Sequence, residues 1–342
     1  MKAISLSNFG GADFFQAVDF PLVEPQPDEV RIRLSAASFN PIDVYIRCGR
    51  LGGDLPMILG RDLSGTVEAV GVGVSRLRAG DEVYAYLPGR RSNGSYAEYV
   101  TAPADFVALK PANLSHMEAA AIPVVGLTAL HCVAGKARIT AGQSAFVAGA
   151  AGGVGTMTVN LLKHYGAEPI IATAGNVESA NYLITLGIKL ENIIFYRDKS
   201  VEELTAAVVE VNDGKKVEAA FDFVGGAMKR LCFEAVGVNG QVVSIVEEPA
   251  DFSLNLWDEN TSPMVLKAVS FHFEQLGANA LQGKNTGVYY RELDELKKLL
   301  ESGQLPAPQI SDVGDLSLET VRQAHLKLEE SHSKGKMVMK IR

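Results

Sequence analysis

The sequence predicts an α/β chain of two domains, a small antiparallel β domain into which a doubly wound parallel sheet is inserted. Three observations predict this. A strand, a glycine-rich turn and a helix run from Ser144 to Gly166, five further strand-like segments follow, and the texture of the chain changes near Ile122. Before that residue short β-patterned segments are broken at close intervals by Gly, Pro and Asp. After it, strands alternate with helices, as a parallel sheet requires.

Taken in order, the N-terminal β segments are Glu29 to Leu34, Gly65 to Val70, Glu82 to Tyr86 and Ala97 to Thr101, a density that indicates a compact antiparallel barrel or sandwich. The central signature reads S-A-F-V-A-G-A-A-G-G-V-G, then T-M-T-V-N-L-L-K-H-Y-G. Ala145 to Ala148 are unbroken apolar residues, as in a strand covered on both faces. Val154, Leu161, Leu162 and Tyr165 then recur at helical spacing, and Gly166 stands where a left-handed cap closes a helix. The turn matches G-x-G-x-x-G with Ala150 in the first glycine place. Such a turn binds a dinucleotide: Gly152 lets the backbone approach a pyrophosphate, Gly155 lets the helix pack on its strand, and the free N–H groups around Ala151, Gly153 and Val154 face the anion. A six-residue glycine pattern alone is weak, and the alternative is a purely structural tight turn. The strands that follow support the nucleotide reading: Pro169 to Thr173, Ile193 to Tyr196, Ala219 to Val224, Gln241 to Val246 and Val269 to Phe273. A helix over Tyr290 to Ser302, another near Leu318 to Ser331 and an alternating strand, Lys336 to Ile341, complete the chain; the last strand fits the β domain better than the parallel sheet. The expected domains are residues 1–121 with 285–342, and 122–284.

Composition narrows the function. The 342 residues are 47% hydrophobic, enough for two cores, and 40 acidic against 32 basic residues give a formal charge of −8, which argues against nucleic acid as a partner. No stretch reaches eighteen apolar residues and the first ten lack a signal-peptide core, so a soluble, cytoplasmic protein without membrane partners is expected. Cys48, Cys132 and Cys232 are too far apart to suggest a disulfide framework or a metal knuckle. The six histidines show no ligand spacing and are assigned to the surface or to satisfied core positions.

With these residues in view, the chain resembles the zinc-free quinone oxidoreductase (zeta-crystallin-like) branch of the medium-chain dehydrogenase/reductase superfamily. The resemblance rests on S-F-N-P-I-D-V-Y-I-R-C-G (Ser38 to Gly49), L-G-R-D-L-S-G-T-V (Leu59 to Val67), G-S-Y-A-E-Y-V (Gly94 to Val100), P-V-V-G-L-T-A (Pro123 to Ala129), A-G-A-A-G-G-V-G and K-G-K-M-V-M-K-I (Lys334 to Ile341), in that order. It implies a GroES-like β-barrel domain carrying a Rossmann domain. It also implies an oxidoreductase taking hydride from NADPH to a small-molecule quinone or related conjugated carbonyl in the cleft between the domains, and a homodimer paired through the Val269 to Phe273 edge. Zinc-binding relatives build a metal site where this chain has Asn40, Gly60-Arg61-Asp62 and Pro123 to Gly126, so no metal is expected.

By the same resemblance Asn40 and Tyr45 line the cleft beside the nicotinamide, with Tyr45 as hydrogen-bond or proton donor; otherwise Asn40 caps a short helix, Tyr45 packs in the core, and water supplies the proton. Arg47 and Asp62 are further cleft candidates, or members of an internal ion pair. Thr128 matches a family threonine, or is a helix-start hydroxyl. Tyr196 matches a tyrosine near the adenine ribose, or is a strand-end aromatic. Asp222, Gly225 and Gly226, in D-F-V-G-G, end the fourth strand at the ligand crevice, with Val224 and Gly225 as the cofactor-binding residues there. After the second strand, Thr173-Ala174-Gly175-Asn176 presents no acid to the ribose, which favours NADPH, with Asn176, Ser179, Tyr196 and Lys336 as phosphate partners. The nearest rival is a 2-alkenal or enoyl-thioester reductase. A rival of another class is an NADPH-binding structural or regulatory protein without turnover.

Overall fold

The computed structural model describes residues 1–88, 93–248, 256, 258, 260, 262–284, 286–330 and 335–342. Ser331, His332 and Lys334, which fell within expected motifs or roles, lie outside the described residues. Contacts divide the chain into two compact units, Met1–Leu127 with Gly277–Arg342, and Thr128–Leu276. The sequence reading places the divisions after Ala121 and Lys284.

Among the described residues the unit Thr128–Leu276 is built on six strands, Ala145–Ala148, Ile170–Ala174, Ile193–Phe195, Val217–Asp222, Val236–Ser244 and Ser270–Phe273, all paired in parallel. Their spatial order is third, second, first, fourth, fifth, sixth, so the first strand lies at the point where the winding reverses. Ligands of such sheets bind beyond the carboxyl ends of the strands at that reversal. Ala145–Ala148 are completely buried, which explains the unbroken apolar run. Phe146, Ile171, Ala220 and Val242 join Leu204, Val208 and Leu231 of the flanking helices in one core. The helix Gly153–His164 stops as expected, with Gly166 at φ +77. The fifth strand starts before the expected Gln241, because the chain pairs at Val236, turns through Asn239 at φ +60 and pairs again from Gln241. The π-helical stretch His131–Ala137 has no counterpart in the sequence reading.

The other unit holds a seven-stranded sheet and a three-stranded one. The long strand Glu29–Ser38 pairs antiparallel with Asp62–Val70, Tyr99–Pro103 and Lys336–Lys340, so the chain does return to the first domain at its end. Tyr99–Pro103 begins two residues after the expected start; Ala97 instead bridges to Ala3. Register places the ends of three strands together. Asp62 lies opposite Ser38, and Val338 also lies opposite Ser38, so continuing that pairing by two residues sets Lys336 against Asn40. The helices Val288–Glu301 and Leu318–Glu329 bury Leu293, Leu296 and Leu300, and Val321, Ala324 and His325, respectively.

Candidate active site

At the nucleotide turn the three glycines have different tasks. Gly149 has φ +82, and a Cβ there would come 2.9 Å from Val224 Cγ2. Gly155 has no room at all, since a Cβ would lie 2.1 Å from Gly149 O and 2.6 Å from Ala150 Cα; its absence lets the helix sit against the turn. A Cβ on Gly152 would meet only Gly149 O, at 3.4 Å, so here the missing side chain leaves open space at the helix N-cap. Among the described residues no side chain caps this helix, and Ala151, Gly152, Gly153 and Val154 are partly exposed. The first N–H groups of a helix have no partner within it, so the turn offers donors and room together, a cradle suited to a diphosphate. Gly149 escaped the sequence reading because Ala150 occupies the expected glycine place.

Beyond the second strand, Thr173 is buried and Asn176 caps the helix Val177–Thr185, its Oδ1 accepting from the Ser179 N–H at 2.8 Å. The Ser179 hydroxyl donates back to Asn176 O at 2.8 Å. The phenol of Tyr196 lies over Gly175, where a Cβ would stand 2.7 Å from its oxygen. These groups therefore form one neutral surface, and the first acid, Glu178, comes only in the helix's first turn, where it favours the helix dipole. Thr128 is the sixth residue of the helix Pro123–Leu130 and is buried, so it is not a helix-start hydroxyl.

The turn after the fourth strand is held from both sides. Asp222 Oδ1 accepts from the N–H groups of Val224, at 3.1 Å, and Gly225, at 2.7 Å, while its Oδ2 accepts from Ser244 Oγ at 2.7 Å. Glu248 accepts from the Gly226 N–H at 2.8 Å and pairs at 2.9 Å with Lys229, whose ammonium also donates to Val246 O at 2.6 Å. The bonds let Gly225 and Gly226 keep φ +85 and +55 and leave Val224 half exposed above the sheet. Lys229 and Glu248 were not found from sequence, since a helix lysine and a loop glutamate carry no motif.

In the first unit a buried polar cluster forms where the three strands end. Asp62 is fully buried: its Oδ2 accepts from Ser38 Oγ and Asn40 Nδ2, both at 2.8 Å, and pairs with Lys336 at 3.1 Å, while its Oδ1 accepts from the Val124 N–H at 2.8 Å. The three N–H groups of the Lys336 ammonium are spent on Asp62, on Asn40 Oδ1 at 2.5 Å and on Phe39 O at 2.9 Å. This corrects the expectation that Lys336 approaches a cofactor phosphate: no donor is left over, and the residue is buried. Asn40 is likewise only 1% exposed, with its amide oxygen on Lys336 and its amide nitrogen on Asp62. It caps the helix Pro41–Arg47 and holds the cluster, instead of lining a cleft. Asp62 belongs to an ion pair with Lys336, and Arg47 to one with Glu329.

Tyr45 is not a core residue. It is 39% exposed, and the Arg50 guanidinium stands 4.8 Å from its ring centroid. Two residues earlier on the same helix Asp43 points inward, fully buried, accepting the Asn40 N–H at 3.0 Å. Burial pushes the Asp43 carboxyl up to about 6, against the pull of nearby Arg61 and of that N–H. His325, enclosed by Phe15, Phe39 and Tyr96, has Nε2 3.1 Å from the Tyr96 hydroxyl, and burial, helped by Arg47, lowers it to about 3. The two act oppositely on stability. His325 contributes stability that is present above its ordinary 6.5 and is lost as pH falls towards 3, whereas the contribution of Asp43 is present below 3.8 and is lost as pH rises through 6.

The residues at the former metal positions do not fit zinc. Asn40 Oδ1 is taken by an ammonium, and Arg61 places a second cation beside the cluster, where zinc needs thiolate, imidazole or carboxylate donors.

Comparison with known proteins agrees with this geometry. Residues 26–112 match the model of the alcohol dehydrogenase GroES-like domain, and residues 188–339 match that of the zinc-binding dehydrogenase family. The chain is 31% identical to an NADPH-dependent alkenal/one oxidoreductase, chloroplastic, of Arabidopsis thaliana, covering 99% of this chain and 79% of that protein. It is 30% identical to the mitochondrial NAD(P)H oxidoreductase RTN4IP1 of Mus musculus, covering 96% and 85%. Among solved structures, the Escherichia coli quinone oxidoreductase complexed with NADPH superposes with a TM-score of 0.85 at 26% identity, covering 99% of this chain and 100% of that one. No helix of the described residues is long and apolar enough to cross a membrane.

Proposed function

The chain belongs to the medium-chain dehydrogenase/reductase superfamily as an NADPH-dependent oxidoreductase, and we propose that it reduces quinones or related conjugated carbonyls by direct hydride transfer without zinc. The observation that carries this reading is the pairing of an intact dinucleotide turn with a metal place filled by Asn40, Arg61 and the Lys336–Asp62 ion pair. Without a Lewis acid, charge arriving on a single carbonyl oxygen is poorly stabilised; a conjugated acceptor spreads it, so hydrogen-bond donors suffice.

The residues that would hold NADPH are Ala151 to Gly155 at the diphosphate, Thr173, Asn176, Ser179 and Tyr196 towards the adenine ribose, and Thr128, Val224 and Gly225 towards the nicotinamide. When bound, NADPH supplies the hydride. Of this chain's own groups, Tyr45 is the exposed phenol that can donate a hydrogen bond or proton to the acceptor. Asn40 acts through the cluster, fixing the helix that carries Tyr45. The printed activity of the Arabidopsis relative favours alkenals as a second substrate class. A homodimer belongs to the same reading: among the described residues Ser270–Phe273 has one strand neighbour, Phe273 is exposed, and an unpaired edge invites a second copy. So does a cytoplasmic location, although relatives are named mitochondrial and chloroplastic.

The test is NADPH oxidation with 1,4-benzoquinone, 9,10-phenanthrenequinone and a 2-alkenal, run beside NADH and after chelation, on a preparation sized by light scattering. Turnover that survives chelation, with NADPH preferred and a particle of twice the 36.5 kDa chain mass, is expected. Tight NADPH binding with no turnover would replace the reading with that of a binding protein.

A further inference from the structure

In the first unit's buried cluster one side chain leaves most of its hydrogen-bonding capacity unused among the described residues. Lys336 faces Asp62 at 3.1 Å with all three N–H groups used. Asp43 is occupied by the Asn40 N–H at 3.0 Å. Arg61 is different. Its side chain is partly buried and close enough to Asp43, Tyr86 and Tyr96 to act on their ionisation. Yet the guanidinium makes one hydrogen bond, Nη1 to Leu87 O at 3.1 Å, and no ion pair within 4.0 Å among the described residues. A guanidinium has five N–H donors, so most of its capacity is uncommitted. The nearby Asp43 carboxyl answers part of the charge but takes none of these N–H groups, and donors left over on a partly buried cation suit a ligand's negatively charged oxygen.

We infer that Arg61 is a catalytic residue of the proposed reduction, donating to the acceptor oxygen on which negative charge develops, and that it favours α,β-unsaturated aldehydes and ketones, whose charge collects on one oxygen. This rests on the reductase reading above. The acceptor's β-carbon gains the hydride as the nicotinamide is oxidised, the carbon–carbon π pair shifts towards the carbonyl, and the carbonyl π pair moves onto oxygen. Arg61 holds that oxygen through N–H donors while the α-carbon takes a proton from solvent or from the Tyr45 phenol, giving the saturated carbonyl. An acceptor that already carries an ionised oxygen should bind to the same group without any reaction.

Two variants and two readouts test this. Arg61→Gln removes the charge, and Arg61→Lys keeps it. With a 2-alkenal, Arg61→Gln is expected to lower kcat about 100-fold, as loss of one oxyanion donor does, with the Kd for NADPH unchanged. Arg61→Lys should recover much of that loss, and 9,10-phenanthrenequinone, whose charge spreads over two oxygens, should lose far less than the alkenal. Binding of ionised 2-hydroxy-1,4-naphthoquinone, followed by calorimetry without turnover, should weaken at least tenfold in Arg61→Gln and be kept in Arg61→Lys. Equal losses for both substrates would mark Arg61 as merely structural, and unchanged anion binding or a kcat within threefold of the parent would overturn the inference. If the parent protein turns over neither substrate, the reductase reading fails, while the naphthoquinone titration still decides whether Arg61 meets an anionic oxygen.

Discussion

Asp62→Ala is expected to destabilise the first unit by about 3–5 kcal/mol and to remove turnover, the largest effect of any single substitution in the polar cluster. The carboxylate is fully buried and accepts from Ser38, Asn40, Lys336 and the Val124 N–H. Removing it leaves the Lys336 ammonium buried without its counter-ion and releases the side chain of Asn40, the N-cap residue of the helix bearing Tyr45. Lys336→Met should cost less, because Asp62 would keep three hydrogen bonds from neutral donors. The double variant should be no less stable than Asp62→Ala, since it removes the uncompensated cation. Denaturant unfolding of the three proteins decides the matter. A loss below about 1 kcal/mol for Asp62→Ala would mean that the cluster is not what holds this end of the sheet.

Gly155→Val and Gly152→Ala separate packing from ligand space. At Gly155 the added carbon would meet backbone atoms at 2.1 and 2.6 Å, which no rotamer change relieves, so the helix must move off the turn. A cost of about 1–3 kcal/mol or more and loss of NADPH binding are expected. At Gly152 the nearest atom is at 3.4 Å, so Gly152→Ala should keep the parent Tm while NADPH affinity falls tenfold or more. Thermal unfolding and a fluorescence titration of NADPH read both quantities. A Gly152→Ala protein that binds NADPH like the parent would remove the turn from the cofactor site.

The nucleotide half of the molecule was legible because its signals are local. An unbroken apolar run, a glycine at the cap and regular strand spacing fix a parallel sheet, and all five strands after the first appear within a few residues of their expected places. The cluster in the other unit was not legible, because it depends on register. Nothing in the sequence around Lys336 says that the last strand pairs two residues short of Asn40, and so its ammonium was assigned to a phosphate instead of Asp62. The same limit applied to Tyr45: its place on a short helix was readable, but the face it shows to solvent depends on how Asp43 is buried below. Motif departures were informative in another way. By the resemblance Arg61 stands in a metal-ligand place, which argued against zinc, and the structure shows how little of its guanidinium is committed among the described residues.

The most direct test of the account follows the hydride itself. NADPH deuterated at the transferring carbon of the nicotinamide, supplied with a 2-alkenal and the chelated protein, is predicted to yield a saturated aldehyde with deuterium on its β-carbon. Deuterium on the carbonyl carbon of an allylic alcohol would contradict it, because that product places the developing charge on an isolated carbonyl oxygen, the reaction that the proposed zinc-free site would not favour.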